Sequence, residues 1–158
     1  MEDFYAAGKA KAIGVSNFCK SSFDCFSSTW KVKPVINQIE VHVGMGPDPQ
    51  GLVSYGRNLG VEAQAYSPLG DGSSELISGD LVTKIGNAHG MSGAQVSMRW
   101  LIEHGIPLTT KTTKQSHMQE DLEIFGFSPK DAEMKTLDSA TKPSGRPSWA
   151  CSKFETVV

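Results

Sequence analysis

A chain of 158 residues with 39% hydrophobic residues, 20% charged residues and a net charge of −2 has the composition of one globular domain. The lack of a basic block argues against a nucleic-acid partner, and no apolar run reaches the roughly 20 residues of a membrane span. We therefore expect a cytoplasmic protein with neither nucleic-acid nor membrane partners. The three cysteines form no CxxC pair and the four histidines lack metal-ligand spacing, so no metal site is predicted.

Strands and helices alternate along the chain in the predicted secondary structure. Short apolar runs predict strands over residues 12–15, 35–41, 61–66 and 106–109. Apolar spacing and start or stop residues predict helices over residues 21–30, 49–59, 81–88, 93–104, 116–125 and 129–140, and a helix-like segment precedes the first strand. This order predicts a parallel α/β sheet with right-handed crossovers.

Particular residues mark where these helices begin and end. Gly60 and Gly105 follow two of the helices and predict their carboxyl-terminal caps. The spacing of Ser116 and Gln119 predicts a capping box at the start of another helix. Residues 142–158, which contain Pro, Gly and Ser, are predicted to form a loop or mobile tail.

Every predicted strand ends in polar residues. They are Ser16 and Asn17; Asn37, Gln38, Glu40 and His42; Tyr66 and Ser67; and Thr109 to Thr113. Because the carboxyl ends of parallel strands meet at the edge where ligands bind, these groups are candidates for one site.

The chemistry of these groups suits a dinucleotide. Ser, Asn and Gln can pair with an amide, and Tyr66 can stack on a flat ring. Lys111 and the neighbouring threonines precede a predicted helix start, which favours phosphate. Each group also has a purely structural interpretation, as a turn, a core tyrosine or a solvated loop, and the residues alone leave both open.

Four stretches together resemble the aldo-keto reductase family. They are GKAKAIGVSNF, VINQIEVH, VEAQAYSPLG and PLTTKTTKQSHMQEDLEIFGF, and the likeness runs from about residue 6 to about residue 141. The resemblance implies a TIM (β/α)8 barrel that reduces aldehydes and ketones with NADPH. It covers only the C-terminal half of that barrel, strands 5 to 8 with their helices, as residues 1–141, followed by the tail 142–158.

The resemblance also implies roles for the polar strand ends. Ser16, Asn17 and Gln38 would hold the nicotinamide carboxamide, with the ring of Tyr66 stacked on the nicotinamide. Residues that would contact the rest of the cofactor are Ser67 and Leu69 at the pyrophosphate, Lys111, Thr112 and Thr113 at the 2′-phosphate, and Glu120 and Asp121 at the adenine.

Three positions depart from the family pattern. His117 stands where an arginine commonly reaches the 2′-phosphate, and its charge near neutral pH is only partial. Asp121 replaces an asparagine and so lacks a donor to the base, and Val43 replaces a proline after the second strand. We still expect NADPH rather than NADH, because Lys111 is retained.

The family's catalytic Asp, Tyr, Lys and His belong to the first four strand–helix units, so no catalytic residue is assigned here. Tyr5 and His42 do not match the catalytic positions. Without a proton donor we expect a chain that binds NADPH but is inactive alone. The alternative is a non-catalytic binding or structural remnant that has lost cofactor affinity.

The early position of the first strand suggests a truncated gene model, a late start site, a split product or a self-associating half-barrel. A half-barrel would expose sheet edges at residues 11–16 and 108–111 and an apolar sheet face, which favours self-association. A small carbonyl substrate is expected only if a missing half completes the barrel. Trp149 and Phe154 are candidates to line its pocket, with incidental tail aromatics as the equal alternative.

Overall fold

The computed structural model describes residues 1–148, and the proposed roles of Trp149 and Phe154 lie outside them. A three-stranded parallel sheet in the order β1-β2-β3 organises this part of the chain. The strands are β1 (Val15–Ser16), β2 (Ile36–Glu40) and β3 (Glu62–Tyr66). The helices are α1 (Glu2–Ala6), α2 (Lys20–Phe26), α3 (Leu52–Asn58), α4 (Ser74–Ile77), α5 (Asp80–His89), α6 (Gly93–Glu103), α7 (Gln115–Glu123) and α8 (Asp131–Asp138), with 3-10 turns at Pro49–Gly51 and Ile124–Gly126.

The fourth predicted strand is not formed within residues 1–148, which corrects the expectation of four complete strands. Residues 106–109 contribute one parallel bridge, between Leu108 and Ala65. The Ala65 N–H donates to the Pro107 carbonyl at 2.8 Å, and the Thr109 N–H donates to the Ala65 carbonyl at 2.9 Å. Within residues 1–148 these two bonds make a single bridge rather than a ladder.

Most helix ends lie close to their predicted positions, but the capping box predicted at Ser116 and Gln119 is not formed. Gly60 and Gly105 follow α3 and α6 with φ of 71° and 66°, a left-handed conformation that glycine adopts without strain. Helix α7 instead begins after Lys114, with no side-chain cap. A capping box is found on α6, where Ser92 and Gln95 bond each other's backbone N–H groups.

The hydrophobic core lies between one face of the sheet and the helices. Ile39 and Ala65 point from β2 and β3 into this layer and are at most 1% exposed. Trp100 of α6 is fully buried among them, and its indole N–H donates to the Asp138 carboxylate at 2.7 Å. Burial of apolar area of this kind is the main stabilising contribution to the fold.

The opposite face of the sheet is polar, unlike the apolar face expected for a half-barrel. Because side chains alternate along a strand, Gln38 and Gln64, which are register partners, both lie on this face. Their side chains bond each other at 2.7 Å, from the Gln38 amide nitrogen to the Gln64 amide oxygen. Within residues 1–148, exposed large apolar side chains include Val35 directly before β2, and others lie at the N-terminus, on α1, α2 and α4 and around α7.

No helix within residues 1–148 is long and apolar enough to cross a membrane. The same part of the chain contains no cluster of three or more His, Cys, Asp or Glu side chains that could hold a metal ion. Cys19 is buried and Cys25 is exposed.

Candidate cofactor-binding site

The polar ends of the three strands meet at one edge of the sheet. Ser16 is the register partner of Gln38, and Glu40 is the register partner of Tyr66. The parallel direction of the strands places all their carboxyl ends on this edge. We call Ser16, Asn17, Gln38 and Tyr66 the amide cluster.

A chain of hydrogen bonds orients the amide cluster. The Tyr66 hydroxyl donates to Asn17 Oδ1 at 3.1 Å, and Asn17 Nδ2 donates to the Ser16 hydroxyl at 3.1 Å. The Ser16 hydroxyl donates in turn to the Gln38 carbonyl at 3.0 Å. The Asn17 amide retains one N–H and one lone pair, so it can both donate to and accept from a ligand amide.

The backbone at Asn17 and the phenol of Tyr66 support this arrangement. Asn17 has a φ of 57°, in the left-handed region, and its N–H donates to the Gln38 carbonyl at 2.9 Å. Burial raises the pKa of the Tyr66 phenol, and the carboxylates of Glu40 and Asp71 raise this pKa further. The phenol therefore stays protonated near neutral pH and remains a donor to Asn17.

The buried Asn37 has a structural role. Its amide nitrogen donates to the Phe18 carbonyl at 2.9 Å, and the Phe18 N–H donates back to Asn37 Oδ1 at 3.1 Å. These two bonds occupy the side chain, which is 3% exposed, and fix the turn that follows Asn17. Of the polar pair Asn37 and Gln38, only Gln38 faces the polar side of the sheet.

A second group of candidate residues lines one pocket beside α7. We call it the α7 pocket, and its volume is 170 Å³. Six residues named from the sequence line it, namely Leu69, Lys111, Thr112, His117, Glu120 and Asp121. Because ligand pockets usually measure about 300 Å³ or more, this one would take one end of a dinucleotide.

The α7 pocket combines cationic, hydroxyl and carboxylate groups. Lys111 and His117 are exposed, whereas Thr112, Glu120 and Asp121 are half-buried. Burial raises the pKa of the Asp121 carboxyl; the nearby His117 lowers this pKa and Glu120 raises it. An ammonium, a hydroxyl and an imidazole fit a phosphate, and half-buried carboxylates fit the donor groups of an adenosine.

The hydrogen bonds that hold α7 against α6 were not predicted from the sequence. Helix α7 buries none of its side chains. The buried Gln95 of α6 donates from its amide nitrogen to the Glu120 carbonyl at 2.9 Å and to the Glu123 carboxylate at 3.3 Å. The Arg99 guanidinium donates to the Ile124 carbonyl at 3.0 Å. The Ser-x-x-Gln spacing at Ser92 was the sequence signal that could have drawn attention to Gln95.

Two of the candidate residues do not join either group. Ser67 has a φ of 48° and donates its hydroxyl to the Asp71 carboxylate at 2.5 Å, within the turn after β3. Thr113 is exposed and is not among the residues that line the α7 pocket. Their contacts with a cofactor stay predictions.

The fold is that of part of an α/β protein with two groups of candidate site residues at its strand ends, and comparison with known proteins gives the family. The family model "Aldo/keto reductase family" matches residues 1–142, and the chain belongs to that family. Family members use NADPH as the cofactor that reduces their carbonyl substrates.

Two curated relatives illustrate the extent of the match. Glyoxal reductase of Bacillus subtilis is 32% identical over 142 residues, which are 90% of this chain and 50% of that protein. Morphine 6-dehydrogenase of Pseudomonas putida is 33% identical over 148 residues, covering 87% of this chain and 49% of that protein. The chain thus spans about half the length of the curated relatives that it matches.

Solved structures give the same result. An aldo-keto reductase from a Medee basin deep-sea metagenome library superposes with a TM-score of 0.84 and 30% identity, over 93% of this chain and 54% of that one. A Gox0644 variant in complex with NADPH superposes with a TM-score of 0.81 and 28% identity, over 92% of this chain and 52% of that one. The described sheet and helices therefore correspond to part of a TIM barrel.

Proposed function

We propose that this chain binds NADPH along the carboxyl ends of its strands, and that it is the cofactor-binding part of a carbonyl reductase. The observation that carries the proposal is the grouping of the candidate residues. Four of them share one hydrogen-bond chain in the amide cluster, and six line the single α7 pocket. Ser67, in the turn after β3, lies between Tyr66 of the amide cluster and Leu69 of the α7 pocket along the chain.

In this proposal the amide cluster holds the nicotinamide end. The amides of Asn17 and Gln38 have donor and acceptor capacity left for a carboxamide, because each makes bonds with only part of its amide. The ring of Tyr66 supplies an aromatic surface for the nicotinamide, and Ser16 fixes the orientation of Asn17. Ser67 would contact the pyrophosphate through its backbone and hydroxyl.

The α7 pocket would hold the adenosine 2′-phosphate end. Lys111 supplies a permanent cation and Thr112 a hydroxyl, with Thr113 beside them before α7. His117 adds charge only when protonated, and Asp121 accepts from an adenine amino group without donating to the ring. We infer a preference for NADPH over NADH that rests mainly on Lys111.

Carbonyl reduction needs a proton donor in addition to the hydride that NADPH supplies. The resemblance to the family assigns the acid group to the first four strand–helix units of the barrel, so this chain alone would position the cofactor without reducing a carbonyl. Residues 1–141 would form this cofactor-binding unit, with 142–158 as its tail. A cytoplasmic location, without nucleic-acid or membrane partners, is part of the same proposal.

A small carbonyl substrate would enter only when a further polypeptide completes the barrel, and self-association is one way to cover the open edges. The outer edge of β1 has no strand beside it within residues 1–148. Exposed Phe4, Phe26 and Val35 lie on nearby elements, with 56%, 53% and 45% of their surface accessible. Light scattering coupled to size-exclusion chromatography measures whether the purified chain is a monomer.

Isothermal titration calorimetry with NADPH and NADH tests the central claim. We expect saturable NADPH binding, weaker NADH binding, and no NADPH oxidation above background with small aldehydes. Turnover by the chain alone would contradict the inactive part of the proposal. Failure of millimolar NADPH to bind or to raise the melting temperature would favour the alternative, a structural remnant without cofactor affinity.

A further inference from the structure

Residues 142–148, which we call the strap, cross the carboxyl end of β2. The Glu40 N–H donates to the Pro147 carbonyl at 3.2 Å, which extends the bonding of β2 beyond the sheet. The Arg146 N–H donates to the Glu40 carboxylate at 3.2 Å. The last residue of β2 therefore holds the strap through both its backbone and its side chain.

Two glycines allow the strap to lie this close to the sheet. A Cβ atom on Gly145 would lie 2.7 Å from His42 Nε2 and 3.0 Å from Glu40 Oε1, both closer than ordinary van der Waals contact. A Cβ atom on Gly44 would lie 2.6 Å from the carbonyl carbon of Lys142. The strap is thus held by its bonds to Glu40 and by close contacts at Gly44 and Gly145, and none of these contacts involves the amide cluster.

At its end the strap contacts the amide cluster through one buried hydroxyl. Ser148 is 3% exposed, and its hydroxyl donates to the Asn17 carbonyl at 2.5 Å. Asn17 is the residue with φ of 57° whose side chain joins Tyr66 to Ser16. The N–H of the same peptide, from Phe18, donates to Asn37 Oδ1, so the Ser148 and Asn37 bonds together hold the peptide plane after Asn17 and with it the orientation of Asn17.

We propose that the strap positions the nicotinamide-binding amide of this protein, and that Ser148 is the positioning residue. This inference rests on the proposed function, because it assigns a supporting residue to the same site. Ser148 acts on Asn17 and does not itself contact the cofactor. The glycine contacts and the bonds to Glu40 keep the strap in place without the Ser148 hydroxyl, so its removal affects orientation more than folding.

The experiment compares two ligands on the full chain by isothermal titration calorimetry. NADPH engages both ends of the site, whereas adenosine 2′,5′-bisphosphate engages only the α7 pocket. For Ser148→Ala we expect NADPH affinity to fall about three- to tenfold, the usual effect of one lost hydrogen bond. Bisphosphate affinity should change less than about twofold, because distant sites are nearly independent. Ser144→Ala, an exposed serine on the same strap, is the matched control.

The outcomes separate this inference from the proposed function. A selective loss of NADPH affinity supports the positioning role, and the retained bisphosphate affinity shows that the variant is folded. An equal loss for both ligands, or no loss for either, overturns it and leaves cofactor binding standing. If the unaltered chain fails to bind NADPH, the proposed function fails and the positioning role fails with it.

Discussion

The amide cluster and the α7 pocket are supported in opposite ways. Asn17 and Tyr66 lie at the ends of hydrogen-bonded strands, and each is fixed by bonds within the cluster. The α7 pocket takes His117, Glu120 and Asp121 from a helix that buries none of its side chains. A neutral amide is recognised through hydrogen bonds that depend on direction, so its binding residues need fixed positions. A phosphate is recognised mainly through charge, which depends less on the exact position of the binding residues.

The largest expected effect comes from removing the lysine of the α7 pocket. Lys111→Ala should weaken NADPH about 10- to 100-fold, because a charge-assisted contact contributes about 1.5–3 kcal/mol. NADH, which has no 2′-phosphate, should bind as before. Calorimetric titration with both cofactors measures the difference, and Lys84→Ala on α5 is the control. Equal losses for the two cofactors would show that Lys111 does not meet the phosphate.

A change in the amide cluster should weaken NADPH and NADH alike, unlike the change at Lys111. Asn17→Gly keeps a residue that tolerates positive φ but removes the side-chain amide. NADPH and NADH should both weaken by about tenfold, the effect of one or two lost hydrogen bonds, while adenosine 2′,5′-bisphosphate is unaffected. In the double variant with Lys111→Ala, the two losses of NADPH binding free energy should add to within about 0.5 kcal/mol if the two regions are independent. A strongly non-additive loss would contradict this independence.

The polar support of α7 is expected to respond to a change in α6. Gln95→Leu keeps the size of the side chain but removes its bonds to Glu120 and Glu123 and its capping bond to the Ser92 N–H. Unfolding in urea should show a loss of about 1–3 kcal/mol, since the hydrogen bonds of one buried side chain are lost. Amide hydrogen exchange should accelerate in α7 and not in β2. Gln119→Leu, on an exposed position of α7, should change neither measurement.

The smallest expected effect concerns the charge at Asp121. Its pKa is raised in the folded chain, mainly by burial, so the folded state binds a proton more readily than the unfolded state. This group therefore makes stability fall as pH rises above the ordinary pKa of Asp. Asp121→Asn should flatten that part of the stability curve and tighten NADPH binding about two- to threefold.

Urea unfolding at several pH values and NADPH titration check this prediction. Asp131→Asn, on the exposed side of α8, is the matched control. A stability curve that keeps its slope in the Asp121→Asn variant would show that another group titrates there. An unchanged NADPH affinity would indicate that Asp121 faces away from the bound adenosine.

Sequence patterns predicted strands best where the strand has hydrogen-bonded neighbours on both sides in the sheet. The strand predicted over residues 35–41 and the one over 61–66 agree with β2 and β3 to within a residue at each end. Residues 106–109 have the same apolar character, but Leu108 bonds on one side only and forms a bridge. The capping box predicted at Ser116 and the one found at Ser92 have similar spacing. Ser116 lies inside α7, which begins at Gln115, whereas Ser92 is the N-cap residue of α6.

The family and the polar residues at the strand ends could be predicted from the amino-acid sequence, because those motifs are local and each consists of a few adjacent residues. The folded structure was needed to show which of these residues share a hydrogen-bond chain and which share a pocket. It also placed Gln95 beneath α7 and brought Ser148 to Asn17, which is 131 positions away in the chain. Contacts over such separations follow from how whole elements pack, and no local pattern encodes them.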